Sequence, residues 1–135
     1  MIVVDTNILS YLLLPTPHSE LVDTIFRTDP EWAAPILWAS EFRNVLIHYL
    51  RKEIITLEKA LHLQENAEAI ITAFHIPSPR ILALVQESTC SAYDCEFVAL
   101  ASQLAIPLVT EDQKILREFP AISLSINGFL DRFLH

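Results

Sequence analysis

The sequence predicts an α/β domain with a central, mainly parallel sheet covered by helices on both faces. Short aliphatic segments alternate with helical ones along the whole chain, the pattern that parallel sheets require. The 135 residues are 52% hydrophobic, enough to bury the core of one ordinary domain spanning 1–135. Only one glycine, Gly128, occurs, so turns fall to eight prolines and to Asn, Asp and Ser. Gly-rich phosphate loops are thereby excluded.

Each element has a local cause. Ile2 to Val4 reads as a buried strand, and a helix from Asn7 to Leu14 stops at Pro15 and Pro17. A second helix runs from about Ser19 to Arg27. Trp32 to Ala34 is a short extended piece leading through Pro35 into a long helix that reaches about Lys52. Thr56 is an N-cap for the next helix, with Leu57, Ala60, Leu61, Gln64, Ala67 and Ile71 at helical spacing. Another extended segment ends at Ile76-Pro77, and Ser78-Pro79 then signals a helix start, a capping hydroxyl before proline. Ser91 opens a helix through Ala101. Ile106 to Thr110 ("IPLVT") reads as a buried strand, followed by a helix from Asp112 to Glu118. "AISLS" is a last short strand, and Asn127 to Leu134 a closing helix.

Composition narrows the function classes. The N-terminus has no basic n-region, Asp5 and Asn7 interrupt its apolar stretch, and no apolar run approaches a membrane span, so a cytoplasmic protein is expected. A mean hydropathy of +0.36 with 19% charged residues leaves an apolar surface, which favours self-association or a protein partner. Cys90 and Cys95 are expected to be reduced and partly buried. His18, His48, His62, His75 and His135 show no metal-ligand spacing, and Trp32 and Trp38 read as core or dimer-interface residues. The net charge of -8 opposes a broad nucleic-acid surface, unless divalent cations offset a group of carboxylates.

Of 17 acids, most fit solvated helix faces, Glu20, Asp23, Glu58, Glu65, Glu68 and Glu118 among them. Four do not. Asp5 and Asp112 each follow a buried strand, so they share the carboxyl rim of the sheet, where α/β sites lie. For both, capping the next helix is an equally good reading, and Glu111 competes with Asp112. Glu41 lies on the shoulder of an apolar stripe formed by Trp38, Phe42, Val45 and Tyr49, with Asn44 beside it. A pairing with Arg43 or Lys52 would also explain it. Asp94, three residues after Ser91, fits a capping box, although a helix N-terminus favours a carboxylate whatever its task. Four carboxylates converging on one cleft would repel unless cations neutralised them, and oxygen-only ligands select hard ions such as Mg²⁺ or Mn²⁺. Such ions suit phosphoryl chemistry.

"IVVDTNIL", "SEFRNVL", "SAYDCEFVALA" and "PLVTED", in this order, resemble the PIN-domain family, and within it the VapC-type ribonuclease toxins. The resemblance runs from Ile2 to about Leu134. It implies a three-layer α/β/α fold and an acidic quartet, Asp5, Glu41, Asp94 and Asp112, binding Mg²⁺ or Mn²⁺. Thr6, Asn7 and Thr110 match the family's polar positions beside those acids, and with Asn44 they are expected to orient the carboxylates. The implied reaction is metal-dependent hydrolysis of an RNA phosphodiester, in a homodimer silenced by a cognate antitoxin protein.

Two features depart from the family pattern. Ala105-Ile106 stands where many members carry glycine before the "PLVT" strand, which predicts a turn made differently. Glu96 and Glu111 are possible additional acids at the site. Setting the quartet aside leaves 13 acids against nine basic residues, so positive charge for RNA must be local, with Arg43, Arg51, Lys52 and Arg80 as candidates. A phosphatase or phosphotransferase using Asp5 as nucleophile fits less well, because Asn7 stands where a second Asp would act as acid and base. A catalytically silent PIN-fold module, binding RNA or protein, is the alternative of a different class.

Overall fold

The computed structural model describes residues 1–134; His135 lies outside the described residues. Strands β1 (Ile2–Val4), β2 (Trp32–Pro35), β3 (Ile71–Phe74), β4 (Leu108–Val109) and β5 (Ser123–Leu124) form one sheet in the order β3-β2-β1-β4-β5. Every neighbouring pair is parallel. Around it lie α1 (Thr6–Leu13), α2 (Ser19–Thr28), α3 (Trp38–Arg51), α4 (Leu57–Ile70), α5 (Ser78–Gln86), α6 (Ala92–Leu104), α7 (Gln113–Glu118) and α8 (Ile126–Phe133). Right-handed crossovers put α1 to α4 on one face and α5 to α7 on the other. The packing agrees: α1 meets α2, α3 and α4, whereas α6 lies on β1 and β2 with α5 outside it.

The centre goes to the most apolar pieces. Ile2, Val3 and Val4 are buried on both faces, as are Trp32, Ala33 and Ala34 in β2. α6 is apolar nearly all round, and Cys95 and Phe97 to Ala101 are buried, as a helix pressed between sheet and outer layer must be. Both tryptophans are core residues. The edge strand β3 leaves Thr72 and Ala73 exposed, so the helical cover thins there.

Several boundaries depart from the sequence reading. Ile71, expected on a helix, opens β3, because it pairs with Trp32 in the sheet and the helix stops one residue earlier. The two C-terminal strands shrink to two residues each. Ser78 lies inside α5 and makes no cap; Pro77 takes that place. Thr56 and Ser91 do cap, accepting hydrogen bonds from Lys59 N and Asp94 N. The turn expected to differ at Ala105-Ile106 instead keeps a glycine-like geometry. Ala105 adopts φ 55° and ψ 43°, and Ile106 N donates to Ala101 O at 3.1 Å to close α6.

Candidate active site

Parallel register brings two distant residues to one point. Val4 is opposite Val109, so the next residues, Asp5 and Thr110, leave the sheet side by side where β1 and β4 meet. The chain winds away in opposite directions from that junction, which is the switch point at which open α/β sheets form crevices. A cleft of about 250 Å³ opens there, lined by Asp5, Thr6, Asn7, Glu41, Asn44, Asp94 and Asp112 together with Val45, Phe97 and Ile115.

Four helix N-termini deliver the acids. Asp5 and Asp112 are the N-caps of α1 and α7, accepting from Ile8 N and Ile115 N at 3.0 Å each. Glu41 and Asp94 stand in the first turns of α3 and α6. The positive ends of four helix dipoles thus face one cleft and favour negative charge in it. Capping and membership of the cleft coexist at Asp5 and Asp112, because a cap uses one carboxylate oxygen.

The second oxygen of Asp5 is held as well. Thr110, fully buried, donates its hydroxyl to Asp5 Oδ2 and accepts from Asp112 N at 3.0 Å. One hydroxyl therefore ties two of the acids together. Thr6 donates to Glu41 Oε1 at 2.7 Å, so Glu41 turns to Thr6 rather than to Arg43 or Lys52. The capping box at Ser91 is half made: Ser91 accepts from Asp94 N, and among the described residues the Asp94 carboxylate accepts no hydrogen bond.

Burial raises Asp5 to a pKa of about 6, against the pull of its hydrogen bonds from Thr110 and Ile8, and Asp112 and Glu41 add repulsion. Glu41 is raised mainly by burial, then by Asp94 and Glu96, against the bond from Thr6. Repulsion thus links Asp112, Asp5, Glu41 and Asp94 in a chain, and among the described residues no lysine or arginine relieves Asp5 or Glu41. The donor set, carboxylates only, fits a hard divalent cation by its chemistry. The carboxylates line the cleft without closing on one point: among the described residues, no three His, Cys, Asp or Glu groups stand close enough to hold a metal.

Other expected residues lie elsewhere. Glu111 accepts from Ile126 N at 3.0 Å and fixes the start of α8. Glu96 stands beside the cleft, near enough to repel Glu41, and is partly relieved by His75. Arg43 bonds Ser40 at 3.1 Å, and Arg80 bonds Ser102 at 2.8 Å, near the far end of α6 from Asp94. Asn7 and Asn44 line the cleft and are exposed. A larger hollow of about 390 Å³ opens at the other pole of the sheet, beside Pro107 and Ile122; it contains Arg132 and no acid. What sequence alone missed is the double role of Thr110; its place between two acids depends on register.

Comparisons with known proteins agree with this architecture. The family model described as PIN domain matches residues 2–121. Ribonuclease VapC3 of Pyrobaculum aerophilum is 25% identical over 126 residues, which covers 90% of this chain and 96% of that protein. The crystal structure of PAE2754 from Pyrobaculum aerophilum superposes with a TM-score of 0.73 at 18% identity, covering 98% of this chain and 96% of that one. A toxin-antitoxin complex from Klebsiella pneumoniae has a chain with a TM-score of 0.71 at 17% identity, covering 93% and 98%. At these identities the two solved structures speak for the fold.

Proposed function

Since this chain belongs to the PIN-domain family, we propose that it is a metal-dependent endoribonuclease, the toxin of a toxin-antitoxin pair. The observation that carries the reading is the set of four carboxylates, Asp5, Glu41, Asp94 and Asp112, around one cleft at the switch point of a parallel sheet. The VapC ribonuclease relative and the toxin-antitoxin structure support it.

The quartet would hold Mg²⁺ or Mn²⁺. Such a cation, when bound, offsets the carboxylate charge, polarises a phosphodiester and lowers the pKa of an attacking water. The chain's own residues supply order. Thr110 and Ile8 N hold the two oxygens of Asp5 in fixed directions, and the other carboxylates would close toward Asp5 when the site fills. Thr6 fixes one oxygen of Glu41. Asp94, with a free carboxylate, can turn toward whatever enters. The converging helix N-termini favour a substrate phosphate alongside the acids.

The remaining assignments belong to the same reading. A cognate antitoxin would silence the protein by reaching the acidic cleft, and the protein would work as a homodimer in the cytoplasm. Among the described residues no helix is long and apolar enough to cross a membrane.

The test is cleavage of structured RNA with Mg²⁺ or Mn²⁺ by the wild type and by Asp5→Asn and Asp94→Asn. Activity that both substitutions abolish supports the reading, and unchanged activity in either would sink the catalytic assignment. A wild type inactive on every RNA favours the silent binding module.

A further inference from the structure

A separate hollow lies farther along α3, one helical turn beyond the acidic cleft. At 100° per residue, Glu41, Val45, His48 and Lys52 fall within about 60° of one another around the helix axis, while Arg43 points to the opposite side. His48 and Tyr49 stand one helical turn beyond Asn44 and Val45, which line the cleft. Together with Lys52 and Ile54 they enclose a second hollow, of about 210 Å³. One helix face therefore carries an acid, Glu41, near its start and an aromatic, basic hollow at its end.

Helix α3 ends as α6 does, on a non-glycine residue in the left-handed region. Glu53 adopts φ 57°, the left-handed region that favours glycine, and Ile54 N donates to Tyr49 O at 3.0 Å. The chain folds back so that Ile54 closes the hollow beside Tyr49. Arg51 and Lys52 are exposed, and among the described residues neither enters an ion pair. They are adjacent free cations on a chain of net charge -8.

We propose that the His48–Tyr49–Lys52–Ile54 hollow is a nucleotide subsite for single-stranded RNA running along α3 from the acidic cleft. A base lies against the Tyr49 ring, and Lys52, with Arg51, neutralises the adjoining phosphate. The choice of RNA rests on the nuclease reading above. Aromatic faces stack on any base and cations track the backbone, which is how single strands are bound without sequence preference. The carboxylates of the cleft oppose the phosphate that its helix N-termini favour, so a cationic anchor one step away adds attraction.

The test is fluorescence anisotropy with a fluorescein-labelled uridine 12-mer and divalent ions chelated, so that the hollow rather than the acids carries binding. Tyr49→Leu is expected to weaken binding between about fivefold and about a hundredfold, the range for loss of one stacked base. Lys52→Gln is expected to weaken it and to reduce the slope of log affinity against log salt by about 0.7. Lys52→Arg restores both, and Lys59→Gln on α4, a charge-matched control, changes neither. Thermal melting of each variant checks that the fold is kept. Affinities of Tyr49→Leu and Lys52→Gln equal to that of Lys59→Gln overturn the inference. So does a change in self-association with RNA affinity intact, which would make the hollow a protein surface. The nuclease reading fails separately, through absence of cleavage by the wild type with Mn²⁺; binding that still depends on Tyr49 and Lys52 then leaves the subsite standing.

Discussion

The Thr110 hydroxyl donates to Oδ2 of Asp5, a bond between residues 105 positions apart in the chain. The Thr110 hydroxyl oxygen in turn accepts from Asp112 N, so a single buried hydroxyl sets the spacing of two acids on different strand ends. Thr110→Val keeps the shape and removes both bonds. It is expected to lower RNA cleavage and Mn²⁺ affinity by about 10- to 100-fold with the fold retained. Thr110→Ser is expected to restore most of the loss. Calorimetric Mn²⁺ titration and cleavage assays of the three proteins decide the matter.

Asp5 makes stability depend on pH. Its folded pKa of about 6 lies above the ordinary value, so the folded state binds more protons than the unfolded one between about pH 4 and 6. The stabilisation from protonated Asp5 is full below that window and is lost as pH rises through 6. Chelator-treated protein is therefore expected to gain stability from Asp5→Asn at pH 7.5, on the order of 1–3 kcal/mol, and to gain little at pH 4. Denaturant unfolding at both pH values measures this, and an equal effect at both would refute the assignment.

Glu111 and the quartet should separate cleanly. Glu111 caps the start of α8 through Ile126 N, so Glu111→Ala is expected to cost about 1 kcal/mol of stability while leaving Mn²⁺ affinity unchanged. A fall in Mn²⁺ affinity as large as that of Asp5→Asn would return Glu111 to the metal.

Ala105 occupies the left-handed region at the end of α6 with a methyl group that glycine would lack. Ala105→Gly is expected to raise unfolding free energy by about 1 kcal/mol, reduced in part by the greater freedom of glycine in the unfolded chain. The residue is exposed and far from the acids, so a chemical melt reports the backbone effect alone.

Sequence patterning reached the fold class, the order of elements and the placing of Asp5 and Asp112 on one rim because each has a local signature. Aliphatic triplets mark strands, Thr56 and Ser91 mark helix starts, and acids directly after strands mark the carboxyl rim. Register has no such signature. That Asp5 meets Thr110 follows from Val4 facing Val109, a pairing set by packing of the whole sheet. Ile71 fitted a helix by spacing alone until pairing with Trp32 claimed it for the sheet. At Ala105 the residue type was misleading, because the closure of α6 imposes its backbone geometry on alanine as it would on glycine. The choice between Thr6 and the nearby cations as partner of Glu41 was likewise one of tertiary placement.

The position of β1 at the middle of the sheet has a consequence for biosynthesis. Its partners arrive late: Trp32 and Ala33 after a short interval, Leu108 and Val109 only when most of the chain exists. Pairings so distant in sequence form slowly, because a long loop must close before they contribute. Asp5 therefore waits, without Thr110 or Asp112 beside it, until synthesis has passed Asp112. A growing chain cannot assemble the acidic cleft, and a ribosome translating this message is not exposed to a finished site until the domain is nearly complete.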